Sequence, residues 1–237
     1  MSVPALEISN LHAWYGESHI LHGINLSVQK GQVLTLLGRN GAGRTTTLRA
    51  IMGLTGTRKG SIKVHGSETI AMATHRIAHL GLGYCPEERG IFASLTTEEN
   101  LQLPPRLSGG RATPMSDEQI YQMFPNLSER RHSPGTRLSG GEQQMLAVAR
   151  ILRTGADILL LDEISEGLAP VIVQTLARMI TALKAKGFTI VMVEQNFRFA
   201  APLADHFIVV EHGEVVESFA AAELPVKQAK LDELLSV

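Results

Sequence analysis

Residues 32–46 read Gln32-Val33-Leu34-Thr35-Leu36-Leu37-Gly38-Arg39-Asn40-Gly41-Ala42-Gly43-Arg44-Thr45-Thr46. The first six positions are a nearly continuous apolar run, the pattern of a strand buried on both faces. Glycines follow at 38, 41 and 43, and Thr45–Met52 then reads as a helix stopping at Gly53. Buried strand, Gly-rich loop and helix, in that order, form the context of the phosphate-binding loop G-x-x-x-x-G-K-[ST]. The glycines let backbone N–H groups converge on phosphate oxygens, and the positive end of the helix adds to them. Gly38–Thr46 fits with one departure: Arg44 stands where the motif has Lys. Thr45 is placed to put its hydroxyl on Mg2+. The competing reading, a Gly-rich surface turn, does not call for the flanking strand and helix.

Two other segments bear on the same chemistry. Ile158-Leu159-Leu160-Leu161-Asp162-Glu163 is an apolar strand ending in two acids. Such an ending puts carboxylates at the edge of the sheet where the Gly-rich loop also opens. Asp162 is the candidate Mg2+ ligand, and Glu163 the candidate base that orients and deprotonates a water. Acids at an exposed strand end are the plainer alternative. In Leu138-Ser139-Gly140-Gly141-Glu142-Gln143-Gln144, Ser139 and Glu142 have capping-box spacing, which by itself starts a helix. Gly140 and Gly141 are not needed for a cap, and they permit close backbone approach to a ligand. The string Arg-Leu-Ser-Gly-Gly occurs at 106–110 and again at 137–141. Pro114 stops a helix after the first copy, so only the second is expected at a helix N-terminus, where free amides can face an anion.

Outward from these motifs the chain reads as α/β. Leu6–Leu11, Ile20–Val28 and Ser61–Val64 have strand character. Residues 98–153 have several prolines, few β-branched residues and helical periodicity at Asp117–Phe124 and Glu142–Leu152, which predicts an inserted helical subdomain. Strand Ile158–Asp162, helix Val171–Lys186 and strand Thr189–Glu194 make a βαβ unit, hence a parallel sheet with right-handed crossovers. Phe207–Val210 and Val215–Ser218, joined through His212-Gly213, read as a hairpin, and Leu224–Leu235 as a helix.

Composition narrows the function. The 237 residues carry 22 Lys+Arg against 23 Asp+Glu, a net charge of −1, which gives no support to bulk nucleic-acid binding. With 44% apolar and 19% charged residues, a disordered chain is excluded. The one cysteine, Cys85, forms no internal disulfide and is expected buried in a strand, in a reducing compartment. No apolar run approaches the roughly 20 residues of a spanning helix. The start, MSVPALEISN, does not read as a signal peptide, so a cytosolic location is expected. His12, His19 and His22 look scattered and without metal-ligand spacing, and the Met residues at 123, 145, 179 and 192 read as core.

The three motifs together resemble the ATP-binding subunits of ABC transporters over nearly the whole chain. That resemblance implies a P-loop (RecA-like) core of mainly parallel sheet over 1–90 and 155–237, an N-terminal antiparallel β region, and a helical subdomain over about 91–154. It implies ATP and Mg2+ as cofactors, bound between two such subunits facing head to tail in a homo- or heterodimer. Carried over, Tyr15 stacks on adenine (plain packing being the alternative). Gly38, Arg39, Asn40, Gly41, Ala42, Gly43, Arg44, Thr45 and Thr46 hold phosphates. Ser139, Gly140 and Gly141 close on the γ-phosphate of the partner's nucleotide. Glu163, Gln195 and Glu87 form the catalytic set, with Thr45, Glu87 and Asp162 toward the metal.

Four segments resemble more narrowly the shorter ATPase of branched-chain amino acid importers. They are Tyr84–Phe92, Glu98-Glu99-Asn100-Leu101, Glu166-Gly167-Leu168-Ala169-Pro170 and Val193-Glu194-Gln195-Asn196. Urea-type importers resemble it too. The partners implied are transmembrane permease subunits and, indirectly, a periplasmic or extracellular solute-binding protein, with the chain peripheral on the cytoplasmic side of the membrane.

Glu87 replaces the usual Gln, Gln195 the usual His and Ala169 the usual Asp, habits of this subfamily. Arg44 for Lys and Ile164 for Pro are not. A forked guanidinium does not sit as a compact ammonium does, so weakened turnover is expected. The alternatives are a nucleotide-gated, non-hydrolysing partner in a heterodimer and a soluble ABC protein acting on DNA or ribosomes.

Overall fold

The computed structural model describes residues 3–107 and 113–235. The chain begins with strands β1 (Leu6–Tyr15), β2 (Ser18–Val28) and β3 (Val33–Leu37), then helix α1 (Arg44–Met52). β4 (Arg58–Val64), β5 (Ser67–Glu68), α2 (Thr74–Ala78) and β6 (Leu82–Cys85) follow. The middle is helical: α3 (Thr97–Gln102), α4 (Asp117–Met123), α5 (Pro125–Glu129) and α6 (Gly140–Thr154). The last part alternates again: β7 (Ile158–Asp162), α7 (Pro170–Ala185), β8 (Thr189–Val193), α8 (Phe197–Ala200), β9 (His206–Glu211), β10 (Glu214–Ala220) and α9 (Leu224–Leu235).

Six strands form one sheet in the order β10-β9-β3-β8-β7-β6, parallel except for β10. Every residue of β3, β7 and β8 is buried, which explains why these strands read as unbroken apolar runs. Their side chains alternate between two cores. Leu159, Leu161, Ile190 and Met192 pack with α6 and α7, while Ile158, Leu160, Val191 and Val193 pack with α1 and the other sheet. That second sheet is antiparallel, in the order β2-β1-β4-β5. The α/β architecture is the expected one.

Boundaries differ from expectation where burial, pairing or capping, rather than periodicity, sets them. α1 starts at Arg44, one residue early, because Gly43 in the left-handed region (φ 107°) is its N-cap. α6 is longer at both ends, running from the Ser139 cap to Gly155. β1 extends to Tyr15, beyond its clearly apolar start, because pairing with β2 and β4 holds it. β5, α2, α3 and α8 were not legible: each has two to six residues, too few for a period to show. Cys85 is buried in β6, as expected, and burial pushes its thiol pKa up to about 12. Met145, Met179 and Met192 are buried and Met123 packs partly buried against the same core. The first Ser-Gly-Gly copy, at 108–110, lies outside the described residues.

The histidines are not scattered. Cross-strand pairing sets His12 opposite His22 and Trp14 opposite His19. His12 Nδ1 lies 3.1 Å from His19 Nε2, and His19 stacks on Trp14 at 4.1 Å. Spacing along one strand could not show this, since the register between two strands brings them together.

Candidate functional site

Parallel pairing carries the ends of β3, β6, β7 and β8 to one edge. Leu36 and Asp162 both lie beside Val193, and Cys85 beside Leu161. The Gly-rich loop, the acid pair, Glu194-Gln195 and Pro86-Glu87 therefore emerge together, as they must in an open α/β sheet.

The loop needs its glycines. Gly38 has φ 152°, and a Cβ there would lie 2.2 Å from the Val210 carbonyl oxygen. At Gly43 a Cβ would lie 2.9 Å from Leu21 Cδ2. The Gly213 N–H donates to the Ala42 carbonyl at 2.8 Å and anchors the loop on the β9–β10 turn. Gly41–Thr46 open on a cleft of about 430 Å³, also lined by Tyr15, Asn40, Glu87, Glu163 and Glu166. Tyr15 is 38% exposed there.

Thr45 Oγ1 donates to Asp162 Oδ1 at 2.9 Å, and Tyr84 OH donates to Asp162 Oδ2 at 3.0 Å. Asp162 is fully buried, and burial raises its carboxyl above the ordinary range, with the two hydroxyls opposing. Glu163 stands at φ 47°, a left-handed conformation uncommon for a non-glycine, and its N–H donates to the Val193 carbonyl at 2.9 Å. Burial raises the Glu163 carboxyl too, with Arg44 opposing. Arg44 Nη2 bonds Glu163 Oε1 at 2.8 Å and Asn40 Oδ1 at 3.2 Å. The two charged side chains are 4% and 9% exposed, so this is a buried ion pair.

Not every predicted residue meets here. The Arg39 side chain turns away from the cleft: its Nε donates to the Leu234 carbonyl and its Nη2 to the Glu233 carbonyl, at the end of α9. Ser139, Gly140 and Gly141 stand at the start of α6 and do not line this cleft. Ser139 and Glu142 form a true capping box there, and Gly141 packs so close to Ile172 that a Cβ would lie 2.8 Å from it. Gln195 is exposed, on an adjoining cleft with Glu163, Ser165 and Glu194.

Four contributors, Tyr84, Arg89, Gln144 and Glu194, read in the sequence only as parts of longer segments, with no role of their own. Tyr84 meets Asp162 across the sheet, which its place at a strand end does not show. Arg89 Nε donates to Gln144 Oε1 at 3.2 Å, and Gln144 Nε2 contacts Cys85 Sγ at 3.5 Å, tying the loop after β6 to α6. Glu194 is 1% exposed and accepts from the Ser165 N–H at 3.2 Å and from Ser165 Oγ at 2.7 Å. An acid directly after an all-apolar strand was the available hint.

A glycine cradle between a buried parallel strand and a helix, facing an acid pair at the end of the next strand but one, defines the class of P-loop nucleotide-binding α/β proteins. Residues 21–166 match the family described as ABC transporter. The chain is 38% identical over 92% of its length, and 94% of the relative's, to the high-affinity branched-chain amino acid transport ATP-binding protein BraG of Pseudomonas aeruginosa. It is 31% identical, over 97% of each chain, to a probable branched-chain amino acid transport ATP-binding protein LivF of Archaeoglobus fulgidus. Its fold superposes on a nucleotide-free ATP-binding cassette from an ABC transporter with a TM-score of 0.84 at 21% identity, covering 99% of both chains. The chain belongs to the ABC transporter family, as an ATP-binding subunit.

Proposed function

We propose that this chain energises a branched-chain amino acid importer through membrane subunits, with turnover weakened by Arg44. The names of the relatives from Pseudomonas aeruginosa and Archaeoglobus fulgidus support the solute class. The observation that carries the chemistry is Thr45 Oγ1 at 2.9 Å from Asp162 Oδ1, beside the glycine cradle.

A hydroxyl and a carboxylate oxygen this close, both hard donors, fit the ligand chemistry that Mg2+ would take there. Thr45 and Asp162, with Glu87 lining the same cleft, are the proposed holders; Mg2+ would neutralise phosphate charge there. The amides of Gly38–Thr46 bind the phosphates, with Arg39 contributing backbone only. Tyr15 takes the adenine. Glu163 positions and deprotonates the attacking water, and Gln195 donates to the γ-phosphate. Ser139–Gly141, lying off this cleft, serve the nucleotide of a second ATPase subunit, which is what a head-to-tail dimer requires. The helices between 91 and 154 and the loop after β6 form the face toward the permease, and Asn100 rigidifies that loop through bonds to Phe92, Leu95 and Thr96 carbonyls. Among the described residues no helix is long and apolar enough to cross a membrane. In this reading the subunit acts peripherally, on the cytoplasmic side, with the solute-binding protein reached through the permease.

The test is reconstitution with the permease and binding-protein subunits of a branched-chain amino acid importer from the same organism. ATP turnover is expected to rise with leucine, isoleucine or valine, and R44K is expected to raise it further. Stimulation by urea alone overturns the solute. Turnover unchanged by E163Q assigns hydrolysis to a partner subunit and leaves this one as its nucleotide-gated companion.

A further inference from the structure

Arg44 does something a lysine in its place does not. Its guanidinium is a fork with two ends. One end, Nη2, is taken by Glu163 and Asn40. The other, Nη1, is buried and has no hydrogen-bond partner. Buried donors without partners are rare, and one on a residue lining a phosphate-type cleft points to an acceptor that arrives with the ligand. Among the described residues lining the cleft, Arg44 is the one cation, against Glu87, Glu163 and Glu166. A triphosphate entering so acidic a cleft must draw on the charge that Glu163 already holds.

We propose that Arg44 is a positioning residue for Glu163: it keeps the Glu163 carboxylate paired while the cleft is empty, and a triphosphate releases that carboxylate by competing for the same guanidinium. The proposal rests on the nucleotide reading of the site and adds its regulation. Glu163 is well placed for such control. Its backbone stands at φ 47° with its N–H on the Val193 carbonyl, and its side chain lines the same cleft as the glycine loop. With Oε1 engaged at 2.8 Å, one carboxylate oxygen is withheld from an attacking water. The arriving phosphate oxygens have Nη1 as a ready partner and weaken the hold of Nη2 on Glu163 by sharing its charge. A lysine is one bond shorter and lacks the planar fork, so it does not reproduce the arrangement in which Nη2 pairs with Glu163 and Nη1 faces the incoming phosphate.

Glu163 and the triphosphate are therefore rivals for one cation, and the rivalry depends on Arg44. Calorimetry with a non-hydrolysable Mg-ATP analogue and, in parallel, Mg-ADP tests this on the full chain as native protein, R44K, E163Q and the double variant. E163Q is expected to tighten the ATP analogue on the order of tenfold with Arg44 present, about 1.4 kcal/mol, and less than about threefold in the R44K background. The ADP gain is expected to be smaller, since the γ-phosphate makes the competing contact. An equal gain in both backgrounds, or none with Arg44, overturns the proposal while leaving nucleotide binding intact. If none of the four proteins, each folded by circular dichroism, takes up either nucleotide, the reading of the site fails and the proposal with it.

Discussion

Glu194 is the buried charge whose removal is most informative. It sits directly after β8, 1% exposed, with its N–H on the Leu36 carbonyl at 3.3 Å and its carboxylate on Ser165. Burial raises its pKa from 4.5 to about 7; the Ser165 hydrogen bonds oppose the rise, and the charge of Glu163 adds to it. A carboxyl whose pKa is higher folded than unfolded favours the folded state when protonated. Below the unfolded value both states carry the proton and nothing is lost. As pH climbs from there to about 7 the unfolded chain releases its proton first, so stability falls, and above that it stays low. A shift of that size corresponds to roughly 3 kcal/mol, at about 1.4 kcal/mol per unit.

E194Q keeps the shape, accepts from the Ser165 N–H with its carbonyl oxygen, and donates to Ser165 Oγ through its amide. It cannot ionise. Thermal melts of native and E194Q protein should coincide within a degree or so near pH 4.5 and diverge by on the order of 5–10 °C near pH 8, the variant being the more stable. A difference of the same size at every pH, or a native protein whose melting point does not fall across that interval, refutes the reasoning. Either result would mean that Glu194 titrates as an ordinary carboxylate.

Y84F removes the hydroxyl that meets Asp162 Oδ2. It should lower unfolding stability by about 1–3 kcal/mol in urea and raise the Mg2+ concentration needed for half-maximal ATP hydrolysis. An unchanged Mg2+ requirement separates Tyr84 from the metal site. G83A places a Cβ 1.7 Å from Ile151 Cγ2, and overpacking of this kind costs about 1–3 kcal/mol. I151A added to it should recover part of the loss, and additive losses would count against the clash. S139A deletes the capping hydroxyl of α6 and should destabilise by about 1 kcal/mol. It should also abolish ATP-dependent dimerisation in sedimentation while leaving monomer ATP affinity intact; a fall in monomer affinity would place Ser139 on its own subunit's nucleotide.

The amino-acid sequence determined the central sheet and the phosphate loop, because both are local. Val33–Leu37, Ile158–Asp162 and Thr189–Val193 are apolar at nearly every position, and such a run bounded by loop residues has few other folded uses. Gly38, Gly41 and Gly43 announce a backbone that glycine adopts far more readily than other residues, and the Arg44 departure was visible as a letter change. The sequence also set Ser139 with Glu142 as a helix start, three residues apart on one chain.

Tertiary structure decided what depends on distance through space rather than along the chain. Arg44 and Glu163 are 119 residues apart, and Tyr84 and Asp162 are 78 apart; both pairs exist because parallel strands deliver their ends to one edge. The histidine–tryptophan stack arises from a register between β1 and β2 that includes bulges, which no alternation pattern encodes. Arg39, read with the phosphate loop, spends its side chain on α9 because the helix end presents carbonyls there. Periodicity reports which face of an element is buried. It does not report which element lies against that face, and charge pairing in this site depends on the second.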